Sequence, residues 1–365
     1  MKDIEYYIDI RKQLHYHPDV SGHEQFAHDV VVHELQRLNP DELYDHVGGY
    51  GVIAYWKSNL NDADKTVAFR ADIDALPIGH RCGHDGHTTI MLRFAELVAS
   101  CKERRYNVML VFQPEEETGF GAQKIVESGL LQRHNVKVIF GLHNLPGVPL
   151  GTVVLNPGTF AAASTGVVYS LKGRETHAST PEKGLNPGLA VAEIIQRFSH
   201  LSCQSSENLS DFRQSTLVCC RIGEEAFGTS AGKGEVMFTL RAFTNDSMSQ
   251  LVEQARSIVN EVSAREGLQL NIEYIEPFRA TENTPALVKQ LEAVFSPQVS
   301  TIVTHTPFRW SEDFADYLQV IPGAFFGIGS GESHPELHHP DYVFPDRLIE
   351  PASHCFELIM NNIII

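Results

Sequence analysis

The segment VMLVFQPEEE, residues 108–117, joins an apolar run to three consecutive glutamates. An apolar run this short is typical of a strand buried on both faces. TVAFRADID (66–74) and KVIFGLHN (137–144) follow the same pattern, because Asp74 and His143 stand at or near their ends. Buried strands that end in polar, chemically active side chains indicate an α/β sheet with a site at one edge.

Segments with helical periodicity lie between these strands. HTTIMLRFAELVASCKERR (87–105) has apolar residues at helical spacing, and GAQKIVESG (121–129) predicts a shorter helix. Ser21, followed three residues later by Glu24, indicates a capping box at the start of a helix that runs to about Leu38. The alternation predicts an open mixed α/β sheet with helices on both faces.

The pattern changes near residue 163. From there strand, helix, two strands, helix and strand follow one another, as in the split β-α-β plan of ferredoxin-like domains. A strand at 324–331 then returns the chain to the first sheet. We therefore expect one α/β domain over residues 1–162 and 278–365, interrupted by an inserted α+β domain over 163–277.

The composition restricts the classes of function. The 365 residues carry 46 acidic and 29 basic side chains, a net charge of −17, which disfavours a nucleic-acid partner. No apolar run approaches the roughly 20 residues of a membrane span, and the N-terminus lacks the apolar core of a signal peptide. The six cysteines are scattered without a disulfide framework. These features predict a soluble, cytoplasmic protein without membrane attachment.

The heptapeptide RCGHDGH (81–87) places a thiol, two imidazoles and a carboxylate directly before a predicted helix. Ligands of an open α/β sheet bind outside the carboxyl ends of its strands. We therefore expect these groups to meet the three glutamates, His143 and the histidines after the strand 324–331. Thiolate, imidazole and carboxylate are the donors of zinc-type divalent ions, and a thiolate can bridge two ions.

The role of each glutamate stays open at this level. Glu115 and Glu117 share one face of an extended chain and Glu116 lies on the other, but a turn could redirect any of them. One could bind metal while its neighbour acts as general base, taking a proton from a water whose pKa metal lowers to roughly 7.

Several residues also have a structural interpretation. Cys82 could be a small buried apolar residue, the glutamates could form a solvated turn, and Asp85 could cap the helix that follows it. Because the chain has eighteen histidines, most are not ligands. The histidines without a convergent partner, expected on surfaces or in hydrogen bonds, are His15, His17, His28, His134, His200 and His305.

Together these motifs resemble the amidohydrolase branch of the dinuclear metallopeptidases, which includes aminoacylases, hippurate hydrolases, auxin-conjugate hydrolases and N-acetyl-diaminopimelate deacetylases. CGHDGH (82–87), QPEEE (113–117) and GLHNLPG (141–147) are highly specific at these separations. FRADIDALPI, GRETHAST and ELHHPDYVFPD match as well, so the resemblance covers nearly the whole chain. It implies a zinc-peptidase-like catalytic domain, an inserted lid and dimerisation domain, and a homodimer or dimer-based oligomer.

The resemblance also implies the site residues. Two divalent ions, of zinc, manganese, cobalt or nickel, would be held by Cys82 as bridging ligand, His84, Glu117, His143 and His338. Glu116 would be the general base, and Asp74 would orient a ligand. His177 would polarise the scissile carbonyl in its own or the partner subunit. Arg241 would bind a substrate carboxylate, although packing at a dimer edge fits it equally.

Three departures from the family pattern lie near substrate recognition. Only Gly79, His80 and Arg81 connect ALPI to CGHDGH, where relatives have a longer connection. EEAFGTSAGKGE (224–235) stands where an Asn-x-Ile-Pro element is usual, and HASTPEKG (177–184) lacks a second histidine after the proline. The identity of the substrate is therefore left open.

The leading hypothesis is a metal-dependent hydrolase that cleaves the amide bond of a small-molecule N-acyl amino acid. A di- or aminopeptidase is the alternative enzyme, and it needs a site for a free amino terminus. A non-catalytic metal- or ligand-binding relative is the third interpretation. It predicts the loss of the base or of a ligand, whereas every one of these positions is filled here.

Overall fold

The chain forms two units, which are described separately. The computed structural model describes residues 2–58, 60, 64–203 and 211–365. The first unit comprises Met1–Phe160, Thr281–Pro307 and Asp313–Ile365. The second comprises Ala161–Ala280 and Phe308–Glu312.

An eight-stranded mixed sheet forms the first unit. Its strands are β1 (Glu42–Val47), β2 (Gly51–Trp56), β3 (Thr66–Asp72), β4 (Asn107–Gln113), β5 (Val136–Pro146), β6 (Val153–Leu155), β13 (Thr301–Val303) and β14 (Gly323–Gly331). They pair in the order β1-β2-β4-β3-β5-β14-β6-β13. The four strands β4, β3, β5 and β14 run parallel in the middle, and antiparallel pairs flank them. The predicted open mixed sheet is confirmed.

Helices cover the central strands. They are α1 (Ile4–Tyr16), α2 (Gln25–Leu38), α3 (His84–Ser100), α4 (Gly121–Glu127), α5 (Leu130–Arg133), α8 (Pro285–Phe295), α9 (Ala315–Leu318) and α10 (Ile349–Asn362). Every residue of β3 and β4 is buried. A parallel strand covered on both faces is apolar along its whole length, which explains the continuous runs in the sequence.

The core under α3 contains a cluster of phenylalanines. The Phe69 ring of β3 contacts Phe94 of α3 and Phe356 of α10, with centroids 4.7 and 5.3 Å apart. Burial of each ring contributes about 2–3 kcal/mol. This packing fixes α3, and therefore its first turn, against the ends of the central strands.

The predicted capping box is wrong. The Asp19 carboxylate, rather than Ser21, caps α2, because its Oδ2 accepts from the amides of Phe26 and Ala27 at 2.6 and 3.1 Å. An ionised carboxylate is a stronger acceptor for helix amides than a hydroxyl. The Ser21 hydroxyl instead donates to Oδ2 of Asp74 at 2.7 Å.

The limits of α3 also differ from the predicted 87–105. The helix begins at His84, after Gly83 in the left-handed conformation (φ +97°), so Asp85 lies inside the helix and does not cap it. It ends at Ser100, where the Arg104 guanidinium donates to carbonyls near the helix end. These bonds satisfy acceptors that have no partner within the helix.

The second unit has the predicted β-α-β-β-α-β order. Its elements are β7 (Ala163–Lys172), β8 (Thr176–His177), α6 (Gly188–Phe198), β9 (Arg213–Ile222), β10 (Thr229–Ser230), β11 (Lys233–Ala242), α7 (Asn245–Arg265) and β12 (Gln269–Phe278). The four long strands form an antiparallel sheet in the order β12-β7-β11-β9, and β8 pairs with β10. Alternate residues of β11 are buried, as expected when helices cover one face of a sheet.

Among the residues that the structure describes, none of the helices combines the length and the apolar character that crossing a membrane requires.

A buried glutamate connects α2 to the loop after β4. Glu24 Oε1 accepts from the amides of Gly22 and Glu115 at 2.8 and 2.9 Å. Its Oε2 is buried without a hydrogen-bond partner among the described residues. Burial raises the pKa of Glu24 from its ordinary value of 4.5 to about 7.

This pKa shift predicts a pH-dependent cost in stability. The folded protein binds the Glu24 proton more tightly than the unfolded chain, so the free energy of unfolding falls as pH rises from about 4.5 to about 7. Glu24→Gln removes this pH-dependent loss of stability. We expect the stability of the variant, relative to wild type, to increase by on the order of 2 kcal/mol between pH 4 and pH 8 in urea unfolding.

The exposed Glu5→Gln variant is the matched control, and its stability should follow the wild-type pH dependence. If the free energy of unfolding depended on pH in the same way in wild type and in Glu24→Gln, the pH-dependent cost would not come from Glu24.

Candidate metal centre

Neighbouring parallel strands bring the candidate residues to one edge of the first sheet. Asp74 follows β3, Glu116 and Glu117 follow β4, and His143 lies in the last part of β5. Because β3 pairs with both β4 and β5 in parallel, the carboxyl ends of all three strands meet. His84 is the first residue of α3, which packs over this edge.

A turn after β4 distinguishes the three glutamates. Glu115 has a positive φ of +55°, and its side chain pairs with Lys124. The amide of Glu117 donates to Asp74 Oδ2 at 3.0 Å. The turn therefore directs Glu115 away from the strand ends, while Glu116 and Glu117 face the cluster around His84.

The side chains of this cluster lie within a few ångströms of one another. One ligand atom each from Cys82, His84 and Glu117 lie within 4.8 Å of one another, and so do one each from His84, His87 and His143. Nε2 of His84 is 3.8 Å from a carboxylate oxygen of Glu116 and 3.9 Å from one of Glu117. The structure thus brings the predicted base together with four of the predicted ligands, which are Cys82, His84, Glu117 and His143. The fifth predicted ligand, His338, comes from a different loop.

His338 reaches the cluster from the loop after β14. Its Nε2 is 4.0 Å from Glu117 Oε1, and 57% of its side chain is exposed. Its amide donates to the carbonyl of Arg81 at 2.8 Å, which ties this loop to the residue preceding Cys82. The backbone of His338 has a φ of +65°, so the loop turns sharply at this residue.

The His84 ring has the orientation of a metal ligand. Its Nδ1 lies 3.0 Å from the Asp74 carbonyl oxygen and 3.3 Å from Asp74 Oδ1, so Nδ1–H donates to Asp74. Nε2 is buried and has no hydrogen-bond partner among the described residues. A histidine that binds metal through one nitrogen and donates from the other to such a group is the usual arrangement in zinc proteins.

The donor set fits a divalent transition metal. Burial raises the pKa of the Cys82 thiol to about 12 and the pKa of Glu117 to about 7. Burial acts against the charged form of His84, but the negative charge of Asp72 outweighs it and raises the His84 pKa well above its ordinary value. A cation that binds to these groups can take the place of their protons and compensate the negative charge that remains.

The surroundings of His143 favour a neutral ring. Its ring is buried, and burial lowers its pKa well below the ordinary value. Nδ1 lies 2.9 Å from the carbonyl oxygen of Asn144. The neutral ring can therefore donate from Nδ1 and offer Nε2 to a metal.

Sequence reasoning missed the layer behind these residues. His87 Nδ1 lies 2.6 Å from Asp72 Oδ1, and its Nε2 lies 2.5 Å from Asn144 Oδ1. Both ring nitrogens of His87 thus have partners, which connect it to Asp72 and Asn144. The i, i+3 spacing to His84 was the available signal, since it places both rings on one face of α3.

A buried arginine completes this layer. Arg70 donates to Asp72 Oδ2 at 2.6 Å and to Asp313 Oδ1 at 2.7 Å. The Asp313 amide lies 3.5 Å from Glu116 Oε1. Asp72 was visible as a polar strand end, but nothing local to Asp313 predicts that it meets Arg70, 243 positions away in the chain.

Close packing against neighbouring side chains requires the two glycines of CGHDGH. A Cβ on Gly83 would lie 2.6 Å from Asn144 Oδ1, and one on Gly86 would lie 2.2 Å from the Phe344 ring. Larger residues at either position would push α3 away from the strand ends.

His177 and Arg241 belong to the second unit. His177 is exposed at the end of β8, and its Nδ1 accepts from the amide of Ser179 at 3.1 Å. Arg241 lies in β11 and donates to the Arg309 carbonyl and the Ser311 hydroxyl at 2.8 and 3.1 Å. Burial lowers the pKa of Arg241. The roles predicted for both residues stay predictions.

Comparisons with known proteins agree with this architecture. The sequence model described as peptidase family M20/M25/M40 matches residues 68–362. An uncharacterized hydrolase of Staphylococcus haemolyticus is 28% identical over 390 residues, 99% of both chains. The structure of a dinuclear metal binding peptidase from the M20 family of Bacillus subtilis superposes with a TM-score of 0.82 at 26% identity, over 99% of both chains. The aminobenzoyl-glutamate utilization protein of Klebsiella pneumoniae, at 18% identity, TM-score 0.76 and coverage of 98% and 95%, shares the fold.

The protonated Cys82 thiol predicts proton release on metal binding. The thiol must ionise to bind a cation, so apparent affinity should rise with pH as fewer protons compete. We expect Cys82→Ala to bind zinc more weakly and to release about one proton fewer per chain at pH 7. Calorimetry in buffers of different ionisation enthalpy measures this number.

Cys355→Ala is the matched control, because Cys355 is also buried, with its pKa raised to about 12, but lies in the core. It should release as many protons as wild type. An unchanged proton count in Cys82→Ala would exclude thiolate ligation.

Proposed function

We propose that this chain, a member of peptidase family M20/M25/M40, hydrolyses the amide bond between an acyl group and an amino acid. Its membership rests on the family match over residues 68–362. Members of such a family are hydrolases, and the finer assignment to N-acyl amino acids rests on the motifs CGHDGH, QPEEE and GLHNLPG.

The cofactor in this proposal is a pair of divalent ions. The Bacillus subtilis relative is described as a dinuclear metal binding peptidase, which supports two ions here. The ligands would be Cys82 as the bridge, His84, Glu117, His143 and His338. These donors suit zinc, manganese, cobalt or nickel. When bound, such ions polarise a carbonyl and lower the pKa of water.

The observation that carries the proposal is the position of Glu116. Its carboxylate is buried, stands next to the proposed ligand Glu117, and lies 3.8 Å from Nε2 of His84. A carboxylate beside a metal cluster but outside its ligand set is placed to act as general base. Glu116 takes a proton from the attacking water and returns it to the leaving amine.

His177 supplies the second contribution of the protein. A backbone amide can only donate, so the bond from Ser179 requires an unprotonated Nδ1 and leaves the ring proton on Nε2. An Nε2–H donor can stabilise the oxygen of the scissile carbonyl as negative charge develops there. In this proposal His177 acts from the second unit, of its own or the partner subunit.

In this proposal the second unit contributes to substrate binding and forms the dimer interface. Arg241, anchored on Arg309 and Ser311, binds the carboxylate of the amino acid. The edge strand β9 exposes Leu217, Val218 and Ile222, which supports pairing of two copies along this unit into a dimer. A cytoplasmic location remains part of the proposal, supported by cysteines that form no disulfides in the part of the chain that the structure describes.

Glu116→Gln tests the general base. The variant should keep its metal content by elemental analysis and lose on the order of 10³-fold in kcat, since the amide cannot accept the proton. Glu115→Gln is the matched control, because Glu115 turns away to Lys124. Its kcat should stay within about threefold of wild type. Full activity in metal-loaded Glu116→Gln would overturn the proposal.

A substrate screen tests the bond that is cleaved. N-acetyl and N-benzoyl amino acids, dipeptides and N-acyl amino acid amides should be offered with added zinc, manganese, cobalt or nickel. We expect cleavage of the N-acyl amino acids, and loss of cleavage when their carboxylate is converted to an amide. Arg241→Ala should raise KM for the acids by roughly tenfold or more. Preferential cleavage of dipeptides would favour a peptidase, and no cleavage at all would favour a non-catalytic role.

A further inference from the structure

We propose a second metal site, separate from the hydrolytic centre, formed by His28 of α2 and by Asp45 and His46 of β1. One ligand atom from each of these residues lies within 4.8 Å of the other two. They share no residue with the cluster around His84. The site would take a single divalent ion of the zinc, nickel or copper class.

His28 provides the buried side of the site. The residue is 4% exposed, and its Nδ1 lies 3.0 Å from Asp29 Oδ1, to which it can donate. Nε2 is buried and has no hydrogen-bond partner among the described residues. A buried ring nitrogen without a partner is costly in a folded protein. The carboxylate on Nδ1 leaves the lone pair on Nε2, as in histidines that bind zinc.

A β-bulge carries the other two donors, Asp45 and His46, which lie close to His28. Tyr44 pairs with Ile53 and Val47 pairs with Gly51, so Asp45 and His46 together oppose one residue of β2. A bulge of this kind re-aims side chains that regular pairing would alternate across the sheet. The His46 ring lies against the His28 ring, with centroids 4.2 Å apart and planes at 21°.

The backbone of His46 has a φ of +51°. This left-handed conformation is uncommon for residues other than glycine, although histidine, like asparagine and aspartate, adopts it more often than most. A histidine held at positive φ beside an aspartate, and beside a buried ring nitrogen that lacks a hydrogen-bond partner among the described residues, points to a functional constraint.

Charge and access favour a cation at this position. Asp45 and His46 are exposed, so an ion can enter from solvent while His28 closes the inner side. Two imidazoles and a carboxylate leave open positions that water fills, a set that suits zinc, nickel and copper rather than calcium or magnesium. The net charge of −17 attracts cations to the surface.

His46→Asn tests the site with little change to the backbone, because asparagine tolerates positive φ. Wild type and variant should be equilibrated with excess zinc, dialysed against buffered micromolar zinc, and analysed for metal per chain. We expect wild type to retain one more zinc ion per chain than His46→Asn. His33→Asn is the control, since His33 is an exposed histidine of α2, the helix that carries His28, and this variant should retain the wild-type number of zinc ions.

Asp45→Asn is a second variant that removes a donor from the same site. It should weaken binding of the additional zinc by at least tenfold in titrations of protein whose other sites are already filled. Hydrolytic activity with saturating metal should be the same in all of these proteins, because none of the changed residues belongs to the hydrolytic centre. Equal zinc content in wild type, His46→Asn and Asp45→Asn would overturn the proposal, whether or not the hydrolytic centre holds two ions.

Discussion

The buried carboxylate of Asp74 holds three distant segments together. It accepts from the Ser21 hydroxyl before α2 and from the Glu117 amide after β4, and it lies beside His84 at the start of α3. Burial opposes ionisation, but the hydrogen bond with His84 lowers the pKa of Asp74 below its ordinary value. A buried charge persists only where such partners compensate it. The positions of Glu117 and His84 are therefore coupled through this one group.

Arg70 performs a related task one layer deeper. It joins Asp72, at the end of β3, to Asp313, in the part of the chain that follows the second unit. Asp72 in turn holds His87, and Asn144 holds the other nitrogen of that ring. Buried networks of this kind fix side-chain geometry when every member has partners. The ligand atoms thus stand on a layer that has few alternative arrangements.

Hydrophobic pattern was sufficient to predict most strands, because parallel strands under helices are apolar throughout. The apolar run at the start of VMLVFQPEEE was predicted to be a buried strand, and it lies within β4, every residue of which is buried. Pattern failed where one polar group competes with another: Ser21 has the spacing of a cap, but Asp19 is the better acceptor and Asp74 the better partner. Local pattern also cannot show which distant segments meet.

In the candidate site too, sequence motifs predicted the chemistry, whereas contacts between distant segments could not be predicted. CGHDGH and QPEEE pointed to metal chemistry, and the parallel strand ends explain why these motifs meet. The turn at Glu115, which selects Glu116 and Glu117, depends on contacts with Glu24 and Lys124 from other elements. No periodicity encodes such contacts. His28 was expected on the surface or in hydrogen bonds. Its Nδ1 has such a partner in Asp29, but its Nε2 is buried without a partner in the described structure.

The position of β14 has a consequence for synthesis on the ribosome. This strand pairs with β5 on one side and β6 on the other, so the first sheet is incomplete until residue 331 has been made. The second unit is complete, apart from the short segment 308–312, by residue 280. Domains generally fold as units during translation. The second unit can therefore fold on a nascent chain before β14 completes the first sheet. A chain that is truncated before β14 lacks both this strand and His338.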